Sequence, residues 1–185
     1  MKRGRPRKTN PDTALDAAIK LFWEQGFEGT SMNDLSSCTG MAKPGLYATF
    51  GDKEAMYSKA LDRYFEKYGL PLVDDLAASP DPLDAVVRRF LLAIAAFVVD
   101  KSWPGGCFAI NSVVDCANQP PSLEGPGRAI QERRRDAFVQ RFRAAQETGE
   151  IPKEANPDAL GEFFAGQVLA LGVMGSGGAD LKALT

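Results

Sequence analysis

Histidine is absent from all 185 residues. That absence removes Ser-His-Asp triads, Cys-His pairs and His-containing zinc sites together. No Gly-rich phosphate loop or clustered carboxylate motif stands in for them. Cysteine is scarce as well: three residues, an odd number without regular spacing, do not make a disulfide framework. No stretch reads as the run of about 20 apolar residues that crosses a bilayer, and the basic first residues are not followed by the apolar core of a secretory signal. Alternating strand patterns and internal repeats are missing too. The expectation is a cytoplasmic protein that is not an enzyme, with no metal, no cofactor and no membrane partner. At 44% hydrophobic and 25% charged, the chain is globular rather than disordered.

Its charge is unevenly placed. Lys2, Arg3, Arg5, Arg7 and Lys8 put five basic and no acidic residues in the first ten, leaving 17 basic against 24 acidic in the rest. A basic arm on an acidic body suits a protein that meets phosphate at one end only.

The most informative segment is SMNDLSSCTGMAKPGLYATFGDKE, residues 31–54. Two short helical segments flank a turn at Cys38-Thr39-Gly40, the second has small residues at its start and Tyr47 one turn on, and a charged helix start follows at Asp52-Lys53-Glu54. This is the layout of a helix-turn-helix whose second helix is thin enough to enter a DNA major groove. Double-stranded DNA is the expected partner.

The remainder also reads as helix. Asn10-Pro11-Asp12 is a helix start, Leu15, Ala18, Ile19 and Phe22 follow at helical spacing, and Gly26 suits the left-handed residue that ends a helix. Ser31 with Asp34 forms a capping-box pattern. A fourth helix is expected over 52–67. Gly69-Leu70-Pro71 and Ser79-Pro80-Asp81-Pro82 punctuate a composition shift, read as a break between domains. Helices are then expected over 83–98 and 107–118, over a long stretch through Ile130, Phe138 and Phe142 to Gly149, and from Asn156 to Met174. The pattern predicts an all-α chain of about eight or nine helices.

These residues resemble the DNA-binding domain of tetracycline-repressor (TetR) family regulators from Leu15 through Met56. The matching pieces are Ala17-Ala18, Leu21-Phe22, Gly26-Phe27, Thr30-Ser31-Met32, Asp34-Leu35, Gly40-Met41-Ala42-Lys43, Leu46-Tyr47, Phe50 and Lys53-Glu54. The resemblance implies an all-α fold: an N-terminal three-helix DNA-binding domain with its helix-turn-helix, and a C-terminal helical ligand-binding and dimerisation domain. The corresponding boundaries are a basic arm over 1–9, the helix-turn-helix domain over 10–52 and the regulatory domain over 53–185. It further implies a homodimeric repressor released from a palindromic operator by a small-molecule effector, and a last helix that would continue past Thr185. The chain departs from the family pattern at Ala42, where a capping Ser or Thr is usual, at Pro44-Gly45, and at Ala48-Thr49.

Candidate DNA contacts follow residue by residue. Tyr47 can reach a phosphate, Lys43 a phosphate or guanine edge, and Thr49 can offer a hydroxyl or a methyl. Pro44 and Gly45 permit close approach, and Lys53 stands at a helix start where ammonium and backbone N–H groups point the same way. Phe50 reads as core. Arg3-Gly4-Arg5-Pro6-Arg7 resembles an AT-hook core, in which Arg3, Arg5 and Arg7 would enter a narrow A·T minor groove; a basic tail of non-specific affinity is the alternative.

Beyond the DNA domain, an effector pocket is expected among Phe90, Ile94, Phe97, Phe108, Asn111, Ser112, Phe138, Phe142, Phe163 and Gln167. Many of these Phe would be plain core, and an aromatic lining favours an apolar or aromatic effector. The last long helix is apolar on more than one face and needs cover on all sides, so Gly161, Phe164, Ala165, Val168 and Gly172 are assigned to a dimer interface. Cys107, after Gly105-Gly106 at a helix start, is a candidate electrophile or oxidant sensor, with Cys116 placed about opposite on that helix. A thiol-switched regulator, a helical enzyme or carrier without an operator, and an architectural DNA binder using the arm alone remain as alternatives.

Overall fold

The computed structural model describes residues 10–114 and 120–185. Arg3, Arg5, Arg7 and Cys116 lie outside them. Among the described residues there are helices and no strand.

The N-terminal unit is built by local chemistry. Asn10 caps α1 (Pro11–Gly29) by accepting the Asp12 N–H at 2.9 Å. Its apolar stripe buries Leu15, Ala18, Ile19, Phe22 and Trp23. Gly26 breaks the helix with φ 71° and ψ 176°, so φ is positive as expected while ψ is extended rather than left-handed helical. The capping box forms: Ser31 Oγ accepts from the Asn33 and Asp34 N–H groups, and Asp34 accepts from the Ser31 N–H at 2.9 Å, opening α2 (Met32–Thr39). Gly40, at φ 68° and ψ 11°, supplies the left-handed turn into α3 (Lys43–Phe50). The Asp52 carboxylate caps α4 (Lys53–Tyr64). A bidentate pair from Arg63 to Asp16, at 2.7 and 3.0 Å, ties α4 to α1.

No helix ends at Gly69-Leu70-Pro71. One turn of π-helix, Phe65–Gly69, carries α4 directly into α5 (Leu70–Ala78). The reason is Pro71. In a continuous α-helix its ring would clash with the carbonyl four residues back, and the wider turn shifts the register so that the Leu70 N–H bonds Phe65 O instead. The break falls only at 79–82.

The second layer comprises α6 (Leu83–Val98), α7 (Phe108–Val114), α8 (Glu124–Thr148), α9 (Pro157–Ser176) and the short α10 (Leu181–Leu184). α8 and α9 form an antiparallel hairpin, with Gly161 against Val139 and ion pairs Arg143–Asp158 and Arg135–Glu162 along its length. α9 has 20 residues and a mean hydropathy of 1.3 over its apolar window, so one helix is in fact long and apolar enough to cross a membrane, contrary to the sequence reading. It lies instead along α6, α7 and α8, with Gly161, Val168, Gly172 and Gly175 buried.

The two layers share one core. Trp23 of α1 stacks on Phe97 and Trp103, meets Tyr64 edge-on at 5.3 Å, and donates its Nε1–H to Gly105 O at 2.9 Å. Aromatic pairs of this kind add about 0.5–1.5 kcal/mol beyond area burial. Gly105 and Gly106 hold φ of 95° and 67°, and a Cβ on Gly106 would overlap Ser176 of α9.

Candidate functional site

The outer face of α3 is short and lightly armed. Ala42 at its cap makes no side-chain bond, and Pro44 occupies the first turn, where an N–H has no helical acceptor. Leu46 and Phe50 point into the core, at 0% and 4% exposure, which fixes the opposite face outward. That face presents Lys43, Pro44, Tyr47, Ala48 and Thr49 to solvent, with Tyr47 51% exposed. Tyr47 is therefore not a core aromatic, whereas Phe50 is. Gly45 is half-buried, and a Cβ there would meet only Met41 Cε at 3.7 Å. Packing does not demand glycine at this position.

Lys53 stands differently from the sequence reading. Its ammonium donates to Phe27 O at 2.9 Å and Thr30 O at 3.1 Å, and sits 4.0 Å from the Phe27 ring centroid. It satisfies carbonyls at the end of α1 and is not free to reach a phosphate; only the backbone N–H groups of the α4 start retain that geometry. Lys59 acts similarly, donating to Phe50 O at 2.9 Å where α3 ends. Sequence reasoning missed both ties because a lysine near a helix start looks the same whether it faces solvent or a neighbouring carbonyl.

The expected pocket residues do not converge. Ile94 and Phe97 line a nearly closed cavity of about 20 Å³ between α4, α6, α7 and α8, together with Tyr64, Cys107 and Arg134. Phe108 is fully buried between Tyr57 and Tyr64, and Phe90 packs edge-on against Phe138. Phe142 faces a separate open groove of about 430 Å³ with Leu83, Val87, Leu91 and Phe164. Ser112 turns its hydroxyl back to Ala109 O, and Asn111 accepts from Ser176. Phe163 and Gln167 lie on the exposed side of α9, Phe163 at 59%, and line neither space.

The dimer assignments are corrected by the same register. Gly161, Val168 and Gly172 are buried within the single chain: a Cβ on Gly161 would meet Val139, and one on Gly172 would meet Ile110. Phe164 stacks on Phe138, leaving Ala165 half-buried beside it. The apolar side left open on α9 is Phe163, Val173 and Met174.

Around Cys107 the geometry is polar and closed. The Tyr64 hydroxyl and Cys107 sulfur are 3.3 Å apart, both buried. Burial first, then the neighbouring Cys107, pushes the Tyr64 phenol well above its ordinary range. Arg134 is buried with them, and burial pulls its guanidinium down. The sequence did hold a signal for Arg134. In the run Arg133-Arg134-Arg135, only the middle residue falls in helical register with Ile130, Ala137 and Phe138, the buried stripe of α8.

Comparison with known proteins points one way. Residues 14–60 match the family model described as bacterial regulatory proteins, tetR family, and residues 83–176 match the tetracyclin repressor-like C-terminal domain. The chain is 34% identical to the HTH-type transcriptional repressor ComR of Escherichia coli (strain K12), over 98% of this chain and 87% of that one. It is 29% identical to the HTH-type transcriptional repressor BdcR of the same organism, over 78% and 66%. Among solved structures it resembles a cysteine-substituted form of the TetR family transcriptional regulator CifR, complexed with 26bp double-strand operator DNA. There the identity is 27% and the TM-score 0.85, covering 98% of this chain and 94% of that one.

Proposed function

This chain belongs to the tetR family of bacterial regulatory proteins, and on that premise we propose that it is a cytoplasmic repressor, working as a homodimer on a palindromic operator and released by a small apolar or aromatic effector. The observation that carries the reading is the outward face of α3, where Lys43, Pro44, Tyr47 and Thr49 stand clear of the core that Leu46 and Phe50 enter, with Gly45 half-buried beside them. Lys43 and Tyr47 hold phosphates, Thr49 reads a base edge, and the thin Pro44-Gly45 start allows close approach. The 26bp operator DNA in the CifR complex supports double-stranded DNA as the partner. Residues 1–9 serve as the basic arm, 10–52 as the DNA-binding domain and 53–185 as the regulatory and dimerisation domain.

The exposed apolar strip Phe163, Val173 and Met174 on α9 supports pairing with a second copy. Such pairing sets two α3 helices on half-sites about 34–36 Å apart, or a multiple.

The test is selection of bound sequences from random duplex DNA at physiological salt. An enriched palindrome supports the reading. A well-folded dimer that enriches nothing overturns it.

A second reading has its own observation. Cys107, held against the Tyr64 hydroxyl, would sense electrophiles or oxidants through the same DNA-binding domain. Operator release on mild oxidation, lost in Cys107→Ser, supports it; unchanged binding in oxidant dismisses it.

A further inference from the structure

Arg134 is the least explained residue in the molecule. It is 3% exposed, and among the described residues no carboxylate lies within ion-pair distance of it. Its Nη1 donates to the Gln131 amide oxygen at 2.7 Å, and Cys107 lines the same cavity. Its buried Nε–H has no acceptor. Among the described residues the other buried arginine is Arg141, whose Nε–H is also without an acceptor but which is paired with Glu150 at 3.2 Å. Burying a cation without a counter-ion is destabilising, and a buried donor without an acceptor adds to that cost. A helix position in register with Ile130 and Phe138 is filled far more stably by leucine or methionine.

The surroundings indicate what would compensate that cost. Arg134 lines the cavity of about 20 Å³, room for roughly one water molecule. The other walls include Phe65, Leu72, Ile94, Phe97 and Val168, with the Tyr64 hydroxyl as a further polar group. One cation, the phenols of Tyr64 and Tyr68, the Cys107 thiol and otherwise apolar walls fit a monoanion on an apolar body. A phosphate dianion would find a single positive group. The cavity is also bounded by Phe65 and Gly69, the ends of the π turn. Single π turns inside α-helices are rare and frequent at functional sites, and this one forms a wall of the cavity.

We propose that the effector is a small apolar carboxylic acid, bound as its carboxylate by Arg134 with help from the Tyr64 hydroxyl, in a cavity that enlarges beneath the π turn. The proposal rests on the reading of the chain as an effector-released repressor and names the chemical class of that effector. Release follows from position: Tyr64 belongs to α4, which carries the DNA-binding unit, and it packs on Trp23 of α1.

The experiment uses the full chain and matched probes: benzoate against benzamide, and hexanoate against hexanamide. Binding is read by quenching of Trp emission, and release by the anisotropy of a labelled selected operator. The expected result is that each acid binds and releases DNA at least tenfold more effectively than its amide. In Arg134→Gln that ratio falls to about one, and in Arg134→Lys it is partly kept. Circular dichroism establishes that the variants are folded; if Arg134→Gln is not, the ratio in the wild type and in Arg134→Lys still decides. Acids no better than amides overturn the proposal, as does selectivity that survives in a folded Arg134→Gln. DNA release by iodoacetamide alone, lost in Cys107→Ser and without acid binding, also overturns it and assigns Arg134 to the sulfur. Acid selectivity in a chain that binds no duplex would leave the anion site standing and fail the repressor reading instead.

Discussion

Replacing Gly45 with alanine separates folding from DNA reading. The added methyl meets only Met41 Cε, at 3.7 Å, an ordinary van der Waals contact. Glycine within a helix costs about 0.5–1 kcal/mol relative to alanine, so the variant should be more stable by about that amount. For a chain of this size each kcal/mol moves Tm by about 2–4 °C, and the expected rise is about 1–4 °C. Operator binding should move the other way. If the start of α3 lies against base edges, a methyl at Gly45 holds the backbone off, at about the 1–3 kcal/mol of one good base contact. That is a loss of roughly 5- to 150-fold in affinity. Calorimetry on the free protein and anisotropy titration of the selected operator measure the two effects on one preparation. A lower Tm would refute the claim that the space at Gly45 is open. Unchanged affinity would refute its place in the groove, whatever the Tm does.

Other substitutions test the remaining geometry. In Gly161→Ala the new Cβ would lie 2.3 Å from Val139 Cγ2 and 3.1 Å from its backbone nitrogen; overpacking of this kind costs about 1–3 kcal/mol, and thermal melts should show a fall of about 2–12 °C. No fall would mean the α8–α9 hairpin separates freely. Lys53→Met removes two charged hydrogen bonds to Phe27 O and Thr30 O, a loss of about 1.5–3 kcal/mol by urea unfolding; full stability with weakened DNA binding would return the ammonium to a phosphate role. The hydrogen bond from Arg63 holds the Asp16 carboxyl below its ordinary value of 3.8. An acid with a lowered folded-state pKa stabilises above its unfolded value, and that contribution disappears as pH falls through the folded one. The Tm gap between wild type and Asp16→Asn should therefore be full near neutrality and begin to close below 3.8, and a gap independent of pH contradicts the ion pair.

What the sequence disclosed was mostly local. The Asn10 cap, the Ser31–Asp34 box and the Gly40 turn each depend on a few neighbouring residues, and each forms as expected. The outward face of α3 was legible for the same reason, since Leu46 and Phe50 fix its register. Errors came where a distant neighbour decides. Nothing local to Lys53 indicates the two carbonyls of another helix, so its position alone points to a phosphate. Small residues on α9 suit a partner helix equally well, but Gly161 and Gly172 make room for Val139 and Ile110 of the same chain. Because α9 is apolar on several faces its rotation is undetermined by pattern, which is why Phe163 and Gln167 read as inward. Gly69 and Pro71 punctuate the sequence without ending the helix, because the π turn absorbs them. Arg134 was legible by spacing, yet a run of three arginines reads as solvated charge.

The indole of Trp23 has one more consequence, for how this protein can be divided. It belongs to the DNA-binding unit by sequence, but its hydrogen bond and its stacking partners Phe97, Trp103 and Phe108 all come from beyond residue 90. Cutting the chain after Tyr64 would strip Trp23 of its stacking partners and Tyr57 and Tyr64 of Phe108, exposing aromatic surface on a fragment too small to cover it. The headpiece is therefore not an interchangeable cassette. Any chimera that gives it a new sensory half must bring along the 97–108 segment, or rebuild a surface that can seat an indole and accept its hydrogen bond.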